Sequence, residues 1–264
     1  MNKRGIERIY RSIRDVKIQG AVNIARAAVE AYLAEPTINN KKKLMSLRPT
    51  EPTLSNALNF VEKIGAKKVI SHFSESQEKI NKFVLKLIKN GMIVYTHCHS
   101  TNVNLALIYA RERGKKFEVY NTETRPLFQG RTTAKQLSKR GINVTAFIDS
   151  AMLEAIKKVD LVFLGADAIL KSGIINKIGS GMIAELAHDH RKPLYIVADS
   201  WKFSPKNVKI EERDFHEVWK NAPKKIKIRN PAFEKVGKKF VKGIVSEYGI
   251  LSFERFVKRA DKTI

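Results

Sequence analysis

The chain has 264 residues, 43% hydrophobic and 29% charged, which suits one large domain or a small domain joined to a medium one. It has no apolar run near the roughly 20 residues that span a bilayer, no secretory signal in residues 1–7 and one cysteine; this excludes membrane insertion and a disulfide framework and fits a cytoplasmic protein. A formal net charge of +24 fits nucleic acid, a phosphorylated substrate or a lysine-rich solvated surface, and the even spread of lysines without an aromatic-interleaved basic motif places nucleic acid behind the solvated surface.

Residues 1–35 read as helical, first through Ile6, Ile9, Ile13 and Val16 and then through an alanine-rich run over 21–33. Gly20 separates the two runs, either as a simple break or as a helix start whose N–H groups meet an anion. Residues 39–46 read as a polar, lysine-rich connection. Pro49 and Pro52 forbid a continuous helix and hold the next stretch extended. Residues 55–63 and 75–89 read as amphipathic helices, which gives a helical N-terminal domain over 1–88 and a catalytic domain over 89–264. In the latter, β-rich runs at 92–95, 117–121, 144–148, 161–164, 194–198 and 243–246 alternate with helical patterns at 102–113, 132–140, 151–159 and 179–188. That alternation predicts an α/β fold with a Rossmann-like, mainly parallel, doubly wound sheet. The charged stretch 204–230 either crosses over the sheet or reaches a partner subunit.

The polar residues at the strand ends carry the chemistry. His97-Cys98-His99-Ser100 comes after the first strand, Arg125 and Gln129 lie after the second, and Asp149 after the third. Gly165-Ala166-Asp167 comes after the fourth, with Asn176-Lys177 and Gly179-Ser180 beyond it. Asp199-Ser200-Trp201-Lys202 comes after the fifth. In a parallel sheet these groups converge on the carboxyl edge, where ligands bind. Singly, each has a duller reading: Cys98 as a small buried hydrophobe, Asp167 as a helix N-cap, Arg48 and Arg125 as surface ion-pair residues, Asn176-Lys177 as a turn. His97 and His99 point to opposite faces of an extended segment and no HxxH or CxxC spacing occurs, so no metal site is expected. Together, Arg48, Arg125, Lys177 and Lys202 supply cations for two phosphates, helped by a helix start at Gly179-Ser180.

These motifs, with Arg48-Pro49-Thr50, Thr96-His97-Cys98-His99-Ser100, Thr122-Glu123-Thr124-Arg125-Pro126 and Lys202-Phe203, resemble one family. It comprises initiation factor 2B regulatory subunits, methylthioribose-1-phosphate isomerases and archaeal ribose-1,5-bisphosphate isomerases, and the chain is most similar to the last. The resemblance implies conversion of ribose 1,5-bisphosphate to ribulose 1,5-bisphosphate, in nucleoside monophosphate breakdown, by a homodimer or homohexamer with no metal or organic cofactor. It implies Cys98 as proton acceptor and Asp167 as proton donor. Gly20, Ala21, Arg48, Ser100, Arg125, Gln129, Asn176, Lys177 and Lys202 are then the substrate-binding residues. A thiolate of lowered pKa, given nearby cations, suits the first role; a carboxyl kept protonated beside Val162-Phe163-Leu164 suits the second. His97 and His99 are left with positioning roles. Where the isomerases carry an arginine before Gly-Ala, this chain has Gln19, which removes a bidentate phosphate donor. The same resemblance leaves two rivals: a non-catalytic subunit that binds initiation factor 2 or RNA, and a methylthioribose-1-phosphate isomerase, whose cysteine is followed by asparagine where this chain has His99.

Overall fold

A computed structural model describes residues 2–15, 17–18, 20–210 and 212–264, so Gln19 lies outside the described residues. The chain opens with α1 (Lys3–Arg14), α2 (Ala21–Ala34), α3 (Ile38–Ser46), α4 (Pro52–Ile64) and α5 (Ala66–Leu87). Ala25, Ala28 and Ala31 are small enough to seat α2 closely on α4, and Ile13, Leu44, Leu54 and Leu58 fill the space between these helices.

Three expectations for this region are corrected. Residues 39–46 form most of α3 rather than a connection. That helix buries only Asn40 and Leu44, so it has almost no apolar stripe to read. Asn40 acts as its polar anchor, accepting from the Tyr10 hydroxyl and donating to the Ala31 and Glu35 carbonyls at 3.1 and 2.7 Å. Pro52 does not hold the chain extended but is the first residue of α4, where a missing N–H has no partner to lose. Helix α5 begins at Ala66, not residue 75. Its first half gives Val69 and Phe73 to the helical core, and its second half gives Ile80 and Val84 to the core under the sheet.

Strands β1 (Ile93–Thr96), β2 (Glu118–Thr122), β3 (Asn143–Phe147), β4 (Leu161–Leu164), β7 (Leu194–Val197) and β9 (Gly243–Ser246) are the six predicted runs, each displaced by a residue at most from its expected start and end. Together with β10 (Gly249–Leu251) they form a seven-stranded sheet, in the order β10-β9-β7-β4-β1-β2-β3, in which only β10 is antiparallel. Successive residues on a strand face opposite ways. Tyr95, Val162 and Leu164 therefore pack toward α8 (Met152–Lys158), α9 (Ser180–Asp189) and α10 (Phe253–Thr263), while Val94, Leu161 and Phe163 pack toward α5, α6 (Thr101–Glu112) and α7 (Gln129–Ser138). Helices on both faces make the sheet doubly wound, as the alternation predicts. A small antiparallel sheet, order β5 (Ala168–Leu170), β6 (Gly173–Lys177), β8 (Phe233–Gly237), was not anticipated.

The chain proceeds from β1 to β2 and β3 on one side and from β4 to β7 and β9 on the other. The boundary between β1 and β4 is thus a topological switch point, where the loops diverge and leave a crevice. No helix among the described residues is long and apolar enough to cross a membrane.

Candidate active site

Cys98 lies just after β1 and Asp167 just after β4, so these two residues flank the switch point, and both line one cavity of about 340 Å³. Cys98 has a left-handed backbone, φ 61°. This conformation costs a non-glycine residue about 1–3 kcal/mol and persists only where neighbours hold it. Here its N–H donates to Thr124 Oγ1 at 3.0 Å, and its carbonyl accepts from the Thr133 hydroxyl at 2.7 Å. Because of this bend the segment is not extended.

His97 is buried beneath the bend. Its Nε2 lies 2.9 Å from the Ile178 carbonyl, which can only accept, so Nε2 carries the hydrogen and Nδ1 accepts from Thr122 Oγ1 at 2.9 Å. A side chain at Gly179 would bring its Cβ to 3.1 Å from that ring. His97 therefore ties the Cys98 bend to the turn after Lys177, which is a positioning role.

The expectation of a lowered thiol pKa is corrected. Burial pushes the Cys98 thiol up to about 11, the Lys177 ammonium only partly offsets this, and the Asp167 and Asp149 carboxylates push the same way. The thiol is the resting form at neutral pH. Alkylation of Cys98 by iodoacetamide, tracked by mass spectrometry, is therefore expected to accelerate about tenfold per pH unit from 7 to 10, because only thiolate reacts. A plateau before pH 9 would contradict it.

Asp167 leads into β5, so it caps no helix, and its N–H donates to the Ile175 carbonyl at 2.8 Å. Lys202, itself buried, reaches over to donate to the neighbouring Ala166 carbonyl at 2.5 Å. Ser100 caps α6 and lies under Gly165, where a Cβ would stand 2.6 Å from the serine oxygen. Asn176 and Lys177 are not on a turn but are the last two residues of β6; Asn176 Nδ2 donates to Ser180 Oγ at 2.9 Å.

Two helices begin on glycines with positive φ whose own residue supplies no side-chain cap: α2 on Gly20, which lines the cavity with Ala21, and α9 on Gly179, two residues beyond the cavity-lining Lys177. Such starts present backbone N–H groups to anions. On α9 the Gly181 N–H is taken by Glu234 at 2.8 Å. Arg48 lines the cavity while paired with Glu51 at 2.6 Å. Gln129, at the start of α7, holds its Oε1 buried and without a hydrogen-bond partner among the described residues.

Arg125 is the predicted binding residue that the structure places elsewhere. Its N–H and that of Thr124 donate to Asp149 at 2.7 and 2.9 Å, and its guanidinium turns away to the Val218 carbonyl at 3.1 Å. In its stead the charged stretch 204–230 delivers Arg213, which lines the cavity and is clamped to Glu217. Nothing local in the sequence distinguishes Arg213 from other cations of that stretch; its position depends on the bridge between Glu212 and Pro231 and on Asn230 holding Glu217. Among the described residues no three His, Cys, Asp or Glu side chains are grouped to hold a metal.

A thiol and a carboxyl line one crevice, among Arg48, Lys177, Lys202 and Arg213 and the open start of α2. The set can bind two phosphates and move protons on the carbons between them.

A family model described as the Initiation factor 2 subunit family matches residues 16–253. The ribose 1,5-bisphosphate isomerase of Archaeoglobus fulgidus is 38% identical over 237 residues, covering 78% of this chain and 76% of that protein. That of Methanocaldococcus jannaschii is 37% identical over 245 residues, covering 81% and 80%. Among solved structures, the translation initiation factor eIF-2B of Pyrococcus horikoshii OT3 superposes with a TM-score of 0.88 at 26% identity, covering 97% of this chain and all of that one.

Proposed function

The chain belongs to the initiation factor 2 subunit family, and from that premise we propose that it is an isomerase converting ribose 1,5-bisphosphate to ribulose 1,5-bisphosphate. The observation that carries this reading is the placement of Cys98 and Asp167 on adjacent strand ends, in one cavity lined by four cations and by the uncapped start of α2. A sugar with phosphates at both ends matches a proton-transfer pair set among four cations and an open helix start.

In the proposed reaction the Cys98 thiol first passes its proton to the Asp167 carboxylate, and Asp167 gives that proton to the ring oxygen as the bond from that oxygen to C1 breaks. The Cys98 thiolate takes the proton from C2, which leaves an enol between C1 and C2. The thiol then returns that proton to C1, and the C2 hydroxyl loses its own as the ketone forms. No step asks for a metal or an organic cofactor. A methylthio sugar carries a single phosphate and would leave part of this cationic lining unused, which ranks that substrate lower.

A homodimer or homohexamer in the cytoplasm completes the proposal; exposed Phe215 and Trp219 on the charged stretch support contact with another copy. The rival reading, a subunit that binds initiation factor 2 or RNA, draws on the likeness to the Pyrococcus horikoshii factor and on the +24 charge. It gives no use to the Cys98 and Asp167 pair. Incubation of the purified protein with ribose 1,5-bisphosphate, monitored by phosphorus NMR, is expected to yield ribulose 1,5-bisphosphate. A folded protein that leaves the substrate unchanged would reject the isomerase.

A further inference from the structure

His99 stands at the cavity rim beside Cys98, and its ring is anchored through one nitrogen. Nδ1 lies 3.1 Å from Thr133 Oγ1 and 3.2 Å from Asn104 Nδ2. Hydrogen accounting assigns the tautomer. Thr133 gives its one hydroxyl hydrogen to the Cys98 carbonyl, so toward His99 it can only accept. Of the two hydrogens of Asn104 Nδ2, one goes to Gln136 Oε1 at 2.8 Å; the other has Thr133 Oγ1 and His99 Nδ1 equally near at 3.2 Å, and giving it to Thr133 avoids two bare lone pairs meeting between Thr133 and His99. With these placed, Nδ1 carries the ring hydrogen and donates it to the remaining lone pair of Thr133. Nε2 is then a bare lone pair without a hydrogen-bond partner among the described residues, on a ring that lines the cavity.

The ring is neutral at pH 7, since burial holds its pKa below the ordinary histidine value. The side chains behind it, Asn104, Thr133 and Gln136, are uncharged. The charges facing the same cavity are Arg48, Glu51, Asp167, Lys177, Lys202 and Arg213, besides the Cys98 thiol. A neutral imidazole with a free Nε2 is a base ready for use.

The isomerase reaction, on which this inference rests, needs such a base. Cys98 carries one proton from C2 to C1, and Asp167 has already given its own to the ring oxygen. The hydrogen of the C2 hydroxyl still has to leave. We propose that His99 Nε2 takes it. The O–H bond breaks as Nε2–H forms, the O–H electron pair becomes the second bond of the ketone, and the enol π pair takes the proton from Cys98 at C1. The imidazolium then passes its proton to the Asp167 carboxylate, and from there it returns to the Cys98 thiolate, so every group ends as it began.

His99→Gln keeps a polar side chain but cannot hold the extra proton. On ribose 1,5-bisphosphate its kcat is expected to fall about 100-fold or more with KM within about threefold of the parent, because a positioned base contributes at that level. The acid limb of the parent's kcat–pH profile, from imidazole protonation, should vanish in the variant. A kcat within about threefold of the parent, or an unchanged acid limb, overturns the proposal. An inactive parent instead overturns the isomerase reading itself. A second measurement needs no variant: 15N spectra of histidine-labelled, ligand-free protein should show Nε2 of His99 unprotonated, and a protonated Nε2 also overturns it.

Discussion

Cys98→Ser is expected to lower kcat by about a thousandfold or more, with KM within a few-fold, because the serine hydroxyl ionises far less readily than a thiol and cannot take a proton from carbon. Asp167→Asn is expected to do the same, since an amide has no proton to give to the ring oxygen. Neither residue is a cation in contact with phosphate, so binding is spared. The double variant should be little worse than either single one, as in any pair that acts as a unit. The two roles can be separated without substrate. The Asp167 charge is one of the causes that raise the Cys98 pKa, so Asp167→Asn should lower it. A lower pKa means more thiolate at pH 8, and alkylation of Cys98 should be faster in Asp167→Asn than in the parent. An unchanged rate would show that Asp167 does not act on the thiol, a slower one that it acts in the opposite sense, and retained turnover in either variant would remove the pair from the mechanism.

The large sheet was legible because burial on both faces makes each parallel strand a continuous apolar run between polar ends, as in Leu161-Val162-Phe163-Leu164. The small sheet was not. β5 has three residues and β6 is buried at every position, so neither alternates, and the partner strand β8 pairs with β6 from 56 residues or more away in the chain (Lys177 with Phe233). Asn176 and Lys177 could thus be named as polar residues near the cavity but not as the end of a strand. Cys98 shows the opposite limit. Its place after β1 came from the pattern, while its ionisation did not, because the balance between burial and the Lys177 charge depends on packing that one sequence does not display. Arg125 failed for the same reason: a cation near a strand end is named by type, yet its direction is set by Asp149 and Val218 far along the chain.

Arg48→Met is expected to cost about 3–5 kcal/mol of stability, the usual penalty for leaving one member of a buried ion pair alone. Side-chain exposures of 6% for Arg48 and 5% for Glu51 place the pair well inside that class, unlike the exposed lysine–glutamate pairs elsewhere on the surface. For a chain of this size the loss corresponds to a fall in Tm of about 10 °C, at roughly 2–4 °C per kcal/mol. Glu51→Gln leaves the guanidinium without its carboxylate and should be destabilising too, but with a different response to anions. Inorganic phosphate, entering beside Arg48, replaces the lost negative charge, so it should raise the Tm of Glu51→Gln more than that of the parent, and that of Arg48→Met least. The double variant Arg48→Met with Glu51→Gln should cost less than the sum of the two, since neither charge is then left buried alone. Additive losses, or the same phosphate response in all three proteins, would mean that the pair is structural only and that Arg48 does not face the anion. The predicted order places Glu51 as the group that holds Arg48 in position and gives way when a phosphate arrives.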